Sequence, residues 1–111
     1  MQYALLIYGG ADWNTLSEEE RQSQMQDYMS IGMDSKTKAG AELGELEQAT
    51  TVRVQNGKPV TTDGPFSETK EYLGGLYIVE ADNLDEALST AARIPAARNG
   101  GAIEVRPVIE H

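Results

Sequence analysis

The run Thr62-Asp63-Gly64-Pro65-Phe66-Ser67-Glu68-Thr69-Lys70-Glu71 packs a carboxylate, a sharp turn, an aromatic ring and a charge cluster into consecutive positions. Gly64 permits a positive φ, while Pro65 fixes its own φ and steers Gly64 away from helix, so Asp63 stands at a defined break. Such a carboxylate has two physical readings. Partial burial at a cleft would raise its pKa and make it a general base; alternatively it bonds backbone N–H groups two residues on and simply builds the turn. Phe66, the only Phe in the chain, either pins the loop to a core or lines a cleft. Glu68, Lys70 and Glu71 read as a solvated cluster or as part of a site. Arg53, on the strand leading into the same region, is suited to pair with Asp63 or with a substrate anion, or simply to stand exposed. Tyr8 and Trp13 flank the loop after the first apolar run; a Trp outside regular structure needs a partner.

Other chemistries are poorly supplied. There is no cysteine, which removes disulfides, thiolate catalysis and Cys-zinc sites. His111 is the only histidine and ends the sequence, so neither a Ser-His-Asp triad nor a histidine metal site is expected. No GxGxxG follows a strand, no P-loop occurs, and no dense Asp pattern of the EF-hand kind is present, so no cofactor and no metal are expected. The net charge of −9 argues against nucleic acid and anionic membranes as partners. The first apolar stretch is short and lacks a basic leader, and no run reaches transmembrane length, so a soluble cytoplasmic protein is expected. At 111 residues, one domain with one modest core is expected over 1–111.

The elements that must position these residues follow from periodicity. Gln2 to Tyr8 reads as a strand with apolar residues on both faces: Tyr3, Leu5 and Ile7 on one, Ala4, Leu6 and Tyr8 on the other. Ser17 with Glu20 has capping-box spacing and opens a helix, its apolar face read as Met25, Tyr28, Met29 and Met33, running to about Ala39 with Gly40 as its stop. Ala41 to Gln48 alternates imperfectly and reads as a strand. Thr51 to Gln55 and Lys58 to Thr62 flank Asn56-Gly57, a strong hairpin signal. Tyr72 to Glu80 reads as a strand, and its Gly74-Gly75 marks a bulge or a close approach. Leu84, Ala87, Leu88, Ala91 and Ala92 make a helix capped by Asp82 or Asn83 and closed by Pro95, and Ala102 to Val108 is the last strand. This order gives a ferredoxin-like α+β fold, βαββαβ with an inserted β-hairpin and both helices on one sheet face. The second apolar face of the first strand then calls for another copy.

Asp63-Gly64-Pro65-Phe66, followed by Ser67-Glu68-Thr69-Lys70-Glu71 and Leu73-Gly74-Gly75, resembles the signature of the DGPF branch of the YCII-related proteins. Tyr3 to Tyr8, Thr50 to Val54, Ala92 to Arg98 and Val105 to Val108 resemble that family in the same order, so the resemblance covers essentially the whole chain. It implies two sheets facing each other in a dimeric α+β barrel. Related YCII-type proteins are proposed to use a His–Asp pair; here no internal histidine matches, and only Asp63 carries over. DGPF-type proteins also occur beside sigma factors of the extracytoplasmic-function class. Three functions follow as expectations. The first is a homodimer binding a small polar ligand through Arg53, Asp63, Gly64, Pro65, Phe66, Tyr8 and Trp13. The second is a regulatory module for a sigma-factor-related partner, and the third an acid–base enzyme using Asp63.

Overall fold

The computed structural model describes residues 1–10, 12–66 and 72–111. The expectations attached to Ser67, Glu68, Lys70 and Glu71 lie outside the described residues. Strands β1 (Gln2–Tyr8), β2 (Thr37–Glu42), β5 (Leu73–Glu80) and β6 (Ala102–Pro107) form one antiparallel sheet, in the order β2-β5-β1-β6. Strands β3 (Thr50–Gln55) and β4 (Lys58–Asp63) form a separate two-stranded hairpin, and the helices are α1 (Glu18–Gly32) and α2 (Leu84–Ala92). This α+β arrangement with a central β1 is compatible with the ferredoxin-like pattern.

The alternation along β1 decides where the core lies. Tyr3 and Leu5 are buried, pair with Val79 and Tyr77 of β5, and meet Ile31 of α1 and Ala87 and Ala91 of α2. Burial raises the pKa of Tyr77 and Tyr28 above the ordinary phenol value, and the Tyr77 hydroxyl donates to Tyr28 O at 3.2 Å. Both rings are therefore neutral members of the packing. On the opposite face Ala4, Leu6, Tyr8, Leu76 and Ile78 are only half-buried, and among the described residues no helix covers them.

Three sequence expectations need correction. Helix α1 stops at Gly32, well short of Ala39, because Asp34 accepts from the Lys36 N–H at 2.8 Å and the Thr37 hydroxyl donates to Ile31 O at 2.6 Å. These local bonds turn the chain into β2, so the second strand is Thr37–Glu42, whereas the expected strand at Ala41 to Gln48 ends in a 3-10 turn at Leu46–Gln48. The apolar face read for α1 is right only in part: Tyr28 packs against the core as expected, but Met25, Met29 and Met33 are 52%, 56% and 80% exposed, and Ile31, outside that stripe, is the buried residue. Elsewhere the local chemistry is as read. Ser17 accepts from the Glu20 N–H at 3.1 Å, Asn83 caps α2 by accepting from the Glu86 N–H at 2.9 Å, and Asn56-Gly57 turns the hairpin with both φ positive. The ladder of β1 with β5 shifts register opposite Gly74, and a Cβ on Gly75 would lie 2.9 Å from Ala41 O, so the glycine pair marks both a bulge and a close approach.

Gly101 is a packing requirement. A Cβ there would fall inside van der Waals contact of Tyr8 O, 2.7 Å from Gly10 N and 3.0 Å from Ala96 O, all of them backbone atoms. Gly101→Ala is therefore expected to lower stability by about 2 kcal/mol or more, and Ser23→Ala on the exposed side of α1 by no more than about 0.5 kcal/mol. Urea unfolding followed by circular dichroism measures both.

Candidate functional site

The topology brings most of the candidate residues to one end of the sheet. Strand β1 ends there at Tyr8, β6 begins beside it at Ala102, β5 begins at Leu73, and β2 ends at Glu42 opposite Gly75. The loop after β1 crosses this end, held by the Gly9 N–H to Tyr72 O at 3.1 Å. The hairpin also leaves from here, because β3 follows the segment after β2 and the chain re-enters the sheet at β5. An open depression of about 440 Å³ lies on the uncovered sheet face, lined by Tyr8, Ala102, Ile103 and Glu104.

Tyr8 and Trp13 belong to this end by different means. Tyr8 points from β1 to the uncovered face, cross-strand from Ala102. Trp13 opens a 3-10 turn at Trp13–Thr15, where the Asp12 carboxylate accepts from the Asn14 N–H at 3.0 Å. Arg21 of α1 donates from Nε to Trp13 O at 3.0 Å and from Nη2 to Asn14 O at 3.2 Å, fastening the loop to the helix. The Trp13 ring itself is 40% exposed. Sequence reading missed Arg21, since one arginine in a polar helical turn carries no signal until its partners are known. It also missed Glu104, whose alternation with Ala102 and Arg106 on the uncovered face was the available clue.

Around the Asp63 loop, backbone geometry carries the turn. The Gly64 N–H donates to Ala49 O at 2.8 Å, the Thr51 hydroxyl donates to Gly64 O at 2.7 Å, and Gly64 has φ +103°. The side-chain bond expected two residues on cannot form, because position 65 is proline and has no N–H. Nor is the carboxylate buried by its own chain: Asp63 is exposed. Phe66 does not pin the loop to the core either. It is 74% exposed, with the Arg53 guanidinium 4.9 Å from its ring centroid. That stacking is a cation–π contact of an exposed pair, about 0.5–1 kcal/mol.

The expected Arg53–Asp63 pair is absent for a geometric reason. Arg53 is opposite Val60, and Asp63 is opposite Thr50. Cross-strand partners share a face and successive residues alternate, so Thr51, Arg53, Gln55, Lys58, Val60 and Thr62 lie on one side of the ribbon. Val52, Val54, Pro59, Thr61 and Asp63 lie on the other. The two side chains therefore point apart, and among the described residues no ion pair joins them. Phe66, Gly64 and Pro65 remain grouped with Arg53 and Asp63 at the hairpin base, while Tyr8 lines the depression beside Ala102 and Trp13 sits in the turn fastened to α1. Among the described residues no three of the His, Asp and Glu side chains come together as metal ligands would.

Comparison with known proteins bears on this arrangement. The family model of the YCII-related domain matches residues 1–111. An uncharacterized protein of Rhizobium meliloti (strain 1021) is 34% identical over an alignment of 116 residues, covering 97% of this chain and 92% of its own.

The Arg21 contacts make a testable statement about the sheet end. Arg21→Ala is expected to lower stability by about 1 kcal/mol and to shift Trp13 emission to longer wavelength as the loop comes loose. Trp13 is the only tryptophan, so fluorescence and thermal unfolding of the variant measure both effects.

Proposed function

The chain belongs to the YCII-related family, and we propose that it works as a homodimer binding a small polar ligand in a cleft between its copies. The cleft lies at the sheet end, beside the Asp63-Gly64-Pro65-Phe66 loop whose sequence supports placement in the DGPF branch. The observation that carries this reading is the juxtaposition of an uncovered apolar sheet face with exposed recognition chemistry at its end. A folded monomer of this mass ordinarily exposes about 6,000 Å², whereas this chain exposes 8033 Å² at 12.1 kDa. Its radius of gyration is 16.0 Å, against about 13 Å for a compact chain of this length. The surplus, about 2,000 Å², is of the size that one subunit loses in an obligate dimer. Facing the two sheets together would give the dimeric α+β barrel.

Within that cleft Asp63 and Glu104 supply acceptors, Tyr8 a hydroxyl, and the Arg53–Phe66 pair a cation backed by a ring. These groups suit a ligand with both a donor and an anionic group. Asp63 would be buried only by the second copy, so acid–base chemistry would require the dimer. A sigma-factor-related protein partner is the less favoured reading, because the acidic residues that would attract a basic partner are spread along the whole chain.

Titration of Trp13 emission with panels of small carboxylates, amines and neutral polar compounds tests the ligand reading. A saturable change with a carboxylate-bearing compound is expected, weakened at least about tenfold, or 1.4 kcal/mol, by Arg53→Ala. A flat response to every class in a dimeric wild type would count against a small-molecule site.

A further inference from the structure

The hairpin β3–β4 presents a problem that its own chain does not solve. Every position in it is exposed except the half-buried Thr51. Val52 and Val54 are 61% and 72% exposed, and they share one side of the ribbon with Pro59, Thr61 and Asp63. An isolated two-stranded hairpin is marginal in water, and an apolar ribbon face left open invites pairing. The ribbon therefore needs a surface to lie on, and the helix-covered core of its own chain is not that surface.

We infer that the hairpin is an arm received by the second copy, with its Val52–Val54–Pro59 side packed on the partner subunit and Asp63 delivered to a cleft that the partner completes. This rests on the dimer proposed above and adds which element crosses between copies and which side of it makes contact. Three observations select a second copy as the occupant. The exposed area in excess of a compact monomer matches what one subunit of a stable dimer buries. Arg53 and Lys58 outweigh Asp63, so the segment 50–63 is net positive in a chain of net charge −9, and the arm and the rest of a copy attract each other. The reach is also sufficient: six residues per strand extend about 20 Å, and four strands span about 14 Å, so the arm extends beyond the width of a sheet and can reach the partner subunit past the facing sheets. The arrangement assigns the two sides of the ribbon different tasks. Val52, Val54 and Pro59 make the contact, Asp63 at the base of that side reaches the cleft, and Arg53 with Phe66 forms the cleft's rim from the other side.

The chain lacks cysteine, so Thr61→Cys places a single attachment point on the apolar side of the arm. Labelled with benzophenone maleimide, light and heavy isotope forms are mixed, hybrid dimers are verified by native mass spectrometry, and the sample is irradiated. Peptides joining a light chain to a heavy chain are the expected product. Crosslinks confined to single chains, or none at all, would overturn the inference while leaving the dimer intact. Two further variants read the same contact without crosslinking. Val54→Asp is expected to weaken dimerisation at least about tenfold with the far-ultraviolet spectrum retained, and Gln55→Asn on the opposite side, which leaves the charge of the arm as it is, is expected to leave it unchanged. Equal dimer affinity in Val54→Asp and wild type would also overturn the arm contact, whereas a monomeric wild type would remove the dimer itself.

Discussion

Strand β1 is apolar on both sides, and the chain supplies helices for only one. That imbalance shapes the rest of the molecule. Tyr3 and Leu5 are sealed beneath α1 and α2, while Ala4, Leu6 and Tyr8 on the same strand look out from the other face with Leu76 and Ile78 beside them. Among the described residues the chain has no further helix or strand that forms a layer on that face. Its surface is correspondingly large and its shape flat, 46 × 41 × 20 Å. The same end of the sheet that carries Tyr8 also releases the hairpin, so in the dimer proposed above completing the hydrophobic packing and assembling the cleft would be one event.

Much of the fold was legible because its signals are local. The alternation of Gln2–Tyr8, the Asn83 cap, the Ala87–Ala91 spacing and the Asn56-Gly57 turn each depend on residues close in sequence. Strand β2 was not legible for the opposite reason. Thr37–Glu42 is an edge strand of small and charged residues, and its conformation comes from the ladder that β5 offers rather than from any pattern of its own. The methionine stripe on α1 illustrates a related limit. Periodicity identifies a line of residues along a helix but not which of them meet the sheet: of the expected stripe Tyr28 packs there, and Ile31 outside it fills the remaining space.

Which of the candidate residues lie near one another was partly legible, and their geometry was not. Asp63, Gly64, Pro65, Phe66 and Arg53 do cluster at the hairpin base, yet the cross-strand register sends Arg53 and Asp63 to opposite sides. Register depends on the hairpin turn and strand pairing together, and shifting it by one residue would exchange the two sides. Pro65 likewise rules out the side-chain bond two residues on, because it lacks the N–H that would donate to Asp63. Arg21 and Gly101, which hold the sheet end together, became visible only once distant backbone atoms were placed beside them.

The central claim is that a second copy covers the uncovered sheet face, and sedimentation equilibrium at micromolar concentration tests it most directly. Wild type should sediment at twice the 12.1 kDa of the chain. Ile78→Glu, which sets a charge in the middle of that face, should sediment as a folded monomer. A wild type that remains monomeric, or an Ile78→Glu variant that dimerises as tightly as wild type, would contradict it.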